Sequence, residues 1–191
     1  VEFDLAGIEA DGMFREKISV TGLTVPPAIV PAWAQPVLPN EVSFDFTASD
    51  FDLAAPVKMF IEGFDLTAPD PLGKLADGQM QAAFFGKGPI GLALAPSHIK
   101  GEGYEIGYEG DMQVTAGLPP TGKAKVTASG LDKIEAALRA APPEEAQQPL
   151  MMLQMAKMLA KPGASGEMVW EIDASTPGGP ISVNGQQVAG G

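Results

Sequence analysis

The chain has 191 residues, with 12 Lys plus Arg against 24 Asp plus Glu and a formal net charge of −12. There is no cysteine, which excludes a disulfide framework and any thiolate-held zinc or iron–sulfur centre. The acidity repels phosphate, so nucleic acid and anionic lipid headgroups are poor partners of the chain as a whole, and no nucleic-acid partner is expected, whereas 45% apolar residues are enough for a folded core.

Val1 to Ile8 and Met13 to Leu23 alternate apolar and polar residues with period two, which predicts two strands around a turn at Ala10-Asp11-Gly12. Because the alternation begins at the first residue, we expect a C-terminal portion of a longer precursor. Residues 25–39 hold Pro26, Pro27, Pro31, Pro36 and Pro39, which predicts an extended connection with one short turn near 31–34. Residues 42–47 read as a strand. Ser49-Asp50-Phe51-Asp52 has the capping-box spacing before a helix, although Pro56 lies awkwardly deep for the first turn. A second helix is expected over 72–85.

Residues 90–95, 103–116 and 121–128 read as strands. In the middle one Tyr104, Ile106, Tyr108 and Met112 share one face, and Glu105, Glu109 and Asp111 the other. Ser129-Gly130-Leu131-Asp132 repeats the capping spacing before a helix with an i,i+4 pair, Glu135 and Arg139. Another helix follows Pro142-Pro143, bent or restarted at Pro149. The chain closes with strands 168–174 and 181–183 and the tight-turn dipeptide Asn184-Gly185. We expect one domain, 1–191; Thr47-Ala48-Ser49 is echoed at Thr127-Ala128-Ser129, and the alternative reading of that echo is two β–α repeats at about 41–120 and 121–188.

Motifs for catalysis are weak. Gly117 to Lys123 matches part of a phosphate loop, but Pro119 and Pro120 remove backbone donors, Ala124 stands where a magnesium-binding hydroxyl belongs, and a strand follows. This reads as a hairpin turn. His98 is the only histidine and no nucleophile elbow accompanies it. We therefore expect no catalytic residues, no metal and no cofactor; the carboxylates Glu105 and Glu109 leave a carboxylate-dependent hydrolase as a remote alternative.

The most informative segment is the helix at 150–160. Met151, Met155 and Met158 recur at i, i+4, i+7, with Met152, Leu153 and Leu159 widening the apolar arc. Either this helix is buried on both sides, or its adaptable thioethers line a groove. In the second case Met59, Phe60, Phe84 and Phe85 are the candidate opposite wall.

Val25-Pro26-Pro27-Ala28-Ile29-Val30-Pro31-Ala32-Trp33-Ala34, Phe51-Asp52-Leu53-Ala54, the Met/Leu/Ala-rich helix at 150–160 and Ile181-Ser182-Val183-Asn184-Gly185 together resemble an uncharacterised cell-envelope family of alphaproteobacteria, a conserved domain of unknown function. The resemblance implies a periplasm-facing β-rich body, anchored to the inner membrane by a hydrophobic segment upstream of this chain. It carries no catalytic residues with it. The expectation is thus an α+β protein, a curved antiparallel sheet with three to five helices packed on one face. We expect it to be non-enzymatic and to bind a lipid or other hydrophobic ligand between sheet and Met-rich helix. The alternative is a structural module that contacts an envelope protein partner.

Overall fold

A computed structural model describes residues 1–6, 12–63, 67, 82–86 and 88–189. Ten strands form one open antiparallel sheet: β1 (Glu2–Ala6), β2 (Gly12–Thr21), β3 (Pro39–Phe51), β4 (Ile90–Gly101), β5 (Tyr104–Val114), β6 (Thr121–Ser129), β7 (Lys161–Pro162), β8 (Met168–Asp173), β9 (Ile181–Val183) and β10 (Gln186–Ala189). The order β1-β2-β3-β4-β5-β6-β8-β9-β10 is a meander, with β7 paired to β8. Three helices are described over their length: α1 (Ala54–Gly63), α2 (Leu131–Arg139) and α3 (Pro143–Leu159). No helix among the described residues is long and apolar enough to cross a membrane.

The registers sort the side chains into two unlike faces. Leu5, Phe14 and Ala48 align across β1–β3; Phe46, Leu94 and Gly110 across β3–β5; Ile106, Ala128 and Met168 across β5, β6 and β8. One face is therefore largely apolar, with Glu16 set between Phe3 and Phe46. On the other face acids stand opposite bases: Glu105 opposite Lys100, Glu109 opposite Lys125, and Asp173 opposite Lys123. Each of these three pairs closes as an exposed ion pair at 3.1–3.7 Å.

Several boundaries differ from the sequence expectation, each for a local reason. The strand expected to end at 95 continues to Gly101, because a bulge between Leu94 and Ser97 absorbs Pro96, which has no N–H for the ladder. Buried Ser97 stitches the bulge by donating to the Ala95 carbonyl and accepting from the Asp45 N–H. The two capping boxes do not form. Ser49 and Ser129 remain in strands, and Asp52 caps α1 by accepting from the N–H groups of Ala54 and Ala55. Starting at Ala54, α1 places Pro56 third, inside the first turn, where its missing donor costs nothing. Gly130 precedes α2 with φ 67° and gives no side-chain cap. α3 runs through Pro149 as one helix of 17 residues. The Pro-rich connection holds short 3-10 turns at Pro27–Ile29 and Gln35–Val37, flanking the turn expected near 31–34. Of the helix expected over 72–85, residues 72–81 lie outside the described residues; 82–84 are helical.

Apart from Ser97 in the β4 bulge and Pro56 on α1, the buried side chains fall into two groups. Phe51 and Ile90 lie at one end of the sheet; Tyr104, Ala128, Leu131, Ala137 and Ala146 lie at the other, where α2 and α3 pack. Both ends use a ring laid over a glycine: Phe51 over Gly12 and Tyr104 over Gly101, where a Cβ would collide with ring atoms. No large side chain among the described residues is completely enclosed.

Candidate functional site

Three apolar concavities run across the apolar face. The first, about 470 Å³, is walled by Leu5, Phe14, Phe51, Leu53, Phe84 and Leu92 among others. The second, about 240 Å³, shares Leu92 and adds Phe44, Phe46, Leu94 and Met112; strands β3–β6 alone form its walls. The third, about 320 Å³, lies where α3 meets the sheet, between Leu153, Ala156 and Leu159 on one side and Ile106, Val126, Trp170 and Ile172 on the other. The second and third meet across adjacent register positions, because Ala124 of one is paired with Ile172 of the other. Together they form a trough with a continuous floor of strand residues.

The wall at α3 is held by directed bonds. The Trp170 indole N–H donates to the Ala156 carbonyl at 2.7 Å, which ties the ring to the helix. Asn184, at φ 51° in the tight turn with Gly185, donates to the carbonyls of Leu159 and Val169 and accepts from the Glu171 N–H. One side chain thus ties the end of α3, β8 and the β9–β10 turn together. α2 braces α3 on its inward side: Lys157 donates to Glu135 at 2.6 Å and to Asp132 at 3.0 Å, and Arg139 also bonds Glu135. Lys157 first, then Arg139, holds the Glu135 carboxyl down at about 2; Glu135 first, then Asp132, raises the Lys157 ammonium. On the polar face, Ser175 hydrogen bonds followed by Lys123 lower Asp173 to about 2.

Of the residues singled out in the sequence, Leu159 lines the trough at α3. Met151, Met152, Met155 and Met158 are 54–75% exposed on the outer surface of α3, away from Trp170 and its neighbours. The wheel explains the difference. Ala146 is buried, Leu150, Leu153 and Ala156 are half-buried, and Lys157 turns in to meet Glu135, so the heptad through 146, 150, 153 and 157 faces inward. Phe84 stacks on Phe51 at 5.9 Å and Phe85 packs edge-on against Phe84, at the first concavity and not at the one beside α3. Met59 is half-buried and Phe60 largely exposed on α1. The helix methionines and the phenylalanines therefore do not face each other across one groove. Sequence reasoning missed Trp170, Ile106, Val126, Phe44 and Phe46 as trough residues. Their signal was the alternation of their own strands, each of which read only as a half-buried surface.

The acidic positions are otherwise engaged. Glu105 and Glu109 are 45% and 43% exposed and paired with Lys100 and Lys125. His98 sits within β4 and meets Glu41 at 2.9 Å. Among the described residues no cluster of three or more His, Asp or Glu could hold a metal ion.

No protein-family model, no curated protein and no solved structure matches this chain.

Proposed function

We propose that the protein is a non-enzymatic carrier or holder of a hydrophobic ligand, an acyl chain of a lipid, laid in the trough on the apolar face of its sheet. The observation that carries this is the wholly apolar wall formed by Leu153, Ala156, Leu159, Trp170 and Val126 around about 320 Å³. That volume falls within the usual range of roughly 300–1,000 Å³ for small-molecule sites, and the strand-lined floor through Leu94 and Leu92 extends it. Leu131 and Leu153 line one concavity with Val126, and Leu53 and Phe84 line another with Phe14, which supports a curved sheet with its helices gathered on this same face. The ligand then lies between sheet and helix, as the sequence led us to expect, against leucines and Trp170 in place of methionines. The setting we propose is the periplasm-facing cell envelope, on the resemblance of residues 25–34, 51–54, 150–160 and 181–185.

Native mass spectrometry of gently purified protein tests this. We expect a bound lipid mass, lost on delipidation and restored by palmitic acid; Ala156→Phe, which fills the trough, lowers occupancy. A ligand-free mass under all conditions, or equal occupancy in Ala156→Phe, contradicts the reading.

A second reading rests on the exposed methionines of α3: a structural module that contacts an envelope protein through that face, with no small-molecule ligand. Crosslinking from Met155→Cys in intact envelopes would then trap one specific protein while lipid extraction finds nothing. A carboxylate-dependent hydrolase has the least support, since its candidate acids are exposed and ion-paired.

A further inference from the structure

Along the register rows of the apolar face, from β1 to β6 and on to β8, Glu16 is the one paired residue among those described that carries a charge. Its chain neighbours Arg15 and Lys17 belong to the other face, where Arg15 bonds Asp45. Glu16 is half-buried, and among the described residues its carboxyl has no hydrogen bond or ion pair. A carboxylate set among apolar side chains loses hydration, and here no partner offsets that loss.

The surroundings of Glu16 are aromatic. The register places Phe3 directly opposite it on β1 and Phe46 directly opposite it on β3, positions whose Cβ atoms ordinarily stand roughly 4.5–5.5 Å apart. Phe14 lies two residues away on the same strand, and Phe44 stands diagonally across on β3. The rings form two stacked pairs, Phe3 with Phe14 at 6.5 Å and Phe44 with Phe46 at 6.2 Å. Phe44 and Phe46 also line the second concavity, the part of the trough that strands alone enclose. Glu16 therefore stands beside the trough, next to the wall it shares with Phe46.

Three effects act in the same direction on whatever meets this carboxylate. A cation neutralises it. The π faces of phenylalanine attract positive charge, best when that charge is a weakly hydrated alkylammonium. The net charge of −12 draws cations and repels anions at longer range. Resting on the reading that the trough holds a hydrocarbon chain, we propose that its ligand is a cationic amphiphile, with the alkylammonium head held by Glu16 among Phe3, Phe14, Phe44 and Phe46 and the chain laid along Leu92 and Leu94. A carboxylate or phosphate head meets repulsion at the same place.

The test is calorimetric titration of the full chain with three probes below their micelle concentrations: dodecyltrimethylammonium, uncharged dodecanol and dodecanoate. We expect affinity to fall in that order. Glu16→Gln should weaken the cationic probe on the order of tenfold and leave dodecanol unchanged. Phe46→Leu, which keeps the wall apolar but removes a π face, should weaken the cationic probe severalfold and change dodecanol little. Glu144→Gln on α3 removes the same unit of charge elsewhere and should change nothing. The thermal midpoint of ligand-free Glu16→Gln should not fall, because the carboxyl has no partner to lose. Equal affinity of the cationic probe for the parent chain and Glu16→Gln, an equal loss in Glu144→Gln, or tighter binding of dodecanoate overturns the head-group assignment. Dodecanol binding in those cases leaves the chain in the trough, and Glu16 is then an inward charge that guards the sheet against aggregation. Failure of all three probes overturns this assignment and the hydrocarbon-chain reading together.

Discussion

Asn184 has a backbone that needs φ above zero and a side chain that makes three bonds to three different parts of the chain. Gly could adopt the backbone but make none of the bonds; Ala could do neither. At about 1 kcal/mol per bond, Asn184→Gly should cost roughly 2–3 kcal/mol, read as a lower midpoint in urea with an unchanged slope. A change within 0.5 kcal/mol would show that these bonds are not formed in solution. Glu135 gives a second check at this scale. Its carboxyl stands at about 2 when folded and near 4.5 when unfolded. A lowered folded pKa means the stabilisation is fully present above about 4.5 and is lost as pH falls through about 2. The thermal midpoint should therefore fall more steeply between pH 5 and 2 in the parent chain than in Glu135→Gln. Parallel slopes would mean that Lys157 and Arg139 do not hold this acid. The asparagine–glycine turn was legible from the dipeptide alone. The partners of Asn184 were not, since Leu159 and Val169 lie far from it in sequence.

Among the elements, α3 shows how a composition can be read correctly and its orientation missed. Its methionines form a continuous apolar arc on a helical wheel, but a wheel does not say which arc meets the sheet. Lys157 decides it: its ammonium reaches Glu135 of α2, and with it turn Leu153 and Ala156, leaving Met151, Met155 and Met158 in water. Replacing those three methionines together by Gln should change stability by less than about 0.5 kcal/mol per site, as for other exposed positions. Leu153→Ala, at the wall of the trough, should cost more, about 2 kcal/mol. Comparable losses from both would place the methionines in a core. The strands were read more reliably because period two fixes both faces at once: Tyr104, Ile106, Tyr108 and Met112 lie together as their spacing required. Where a strand's end was missed, at 95, the cause was a bulge that lets Pro96 remain in β4.

At the scale of the whole molecule, an α+β protein built on an antiparallel sheet was legible, while the strand order that makes the sheet a meander was not. What the chain could not disclose was that apolar residues from Phe44 to Ile172 would line neighbouring concavities on one face, because that depends on which strands become neighbours. The central claim is that this trough, and not the outer face of α3, receives an acyl chain. Trp170 lies in its wall, and Trp33 is the only other tryptophan. The decisive measurement is fluorescence of Trp33→Phe during titration with bromine-labelled fatty acid, unlabelled fatty acid serving as the control. We predict saturable quenching by the labelled chain alone, reduced in Ala156→Phe and unchanged when Met151, Met155 and Met158 are replaced by Gln. Absence of quenching, or quenching that disappears with the methionines and survives Ala156→Phe, would contradict the account.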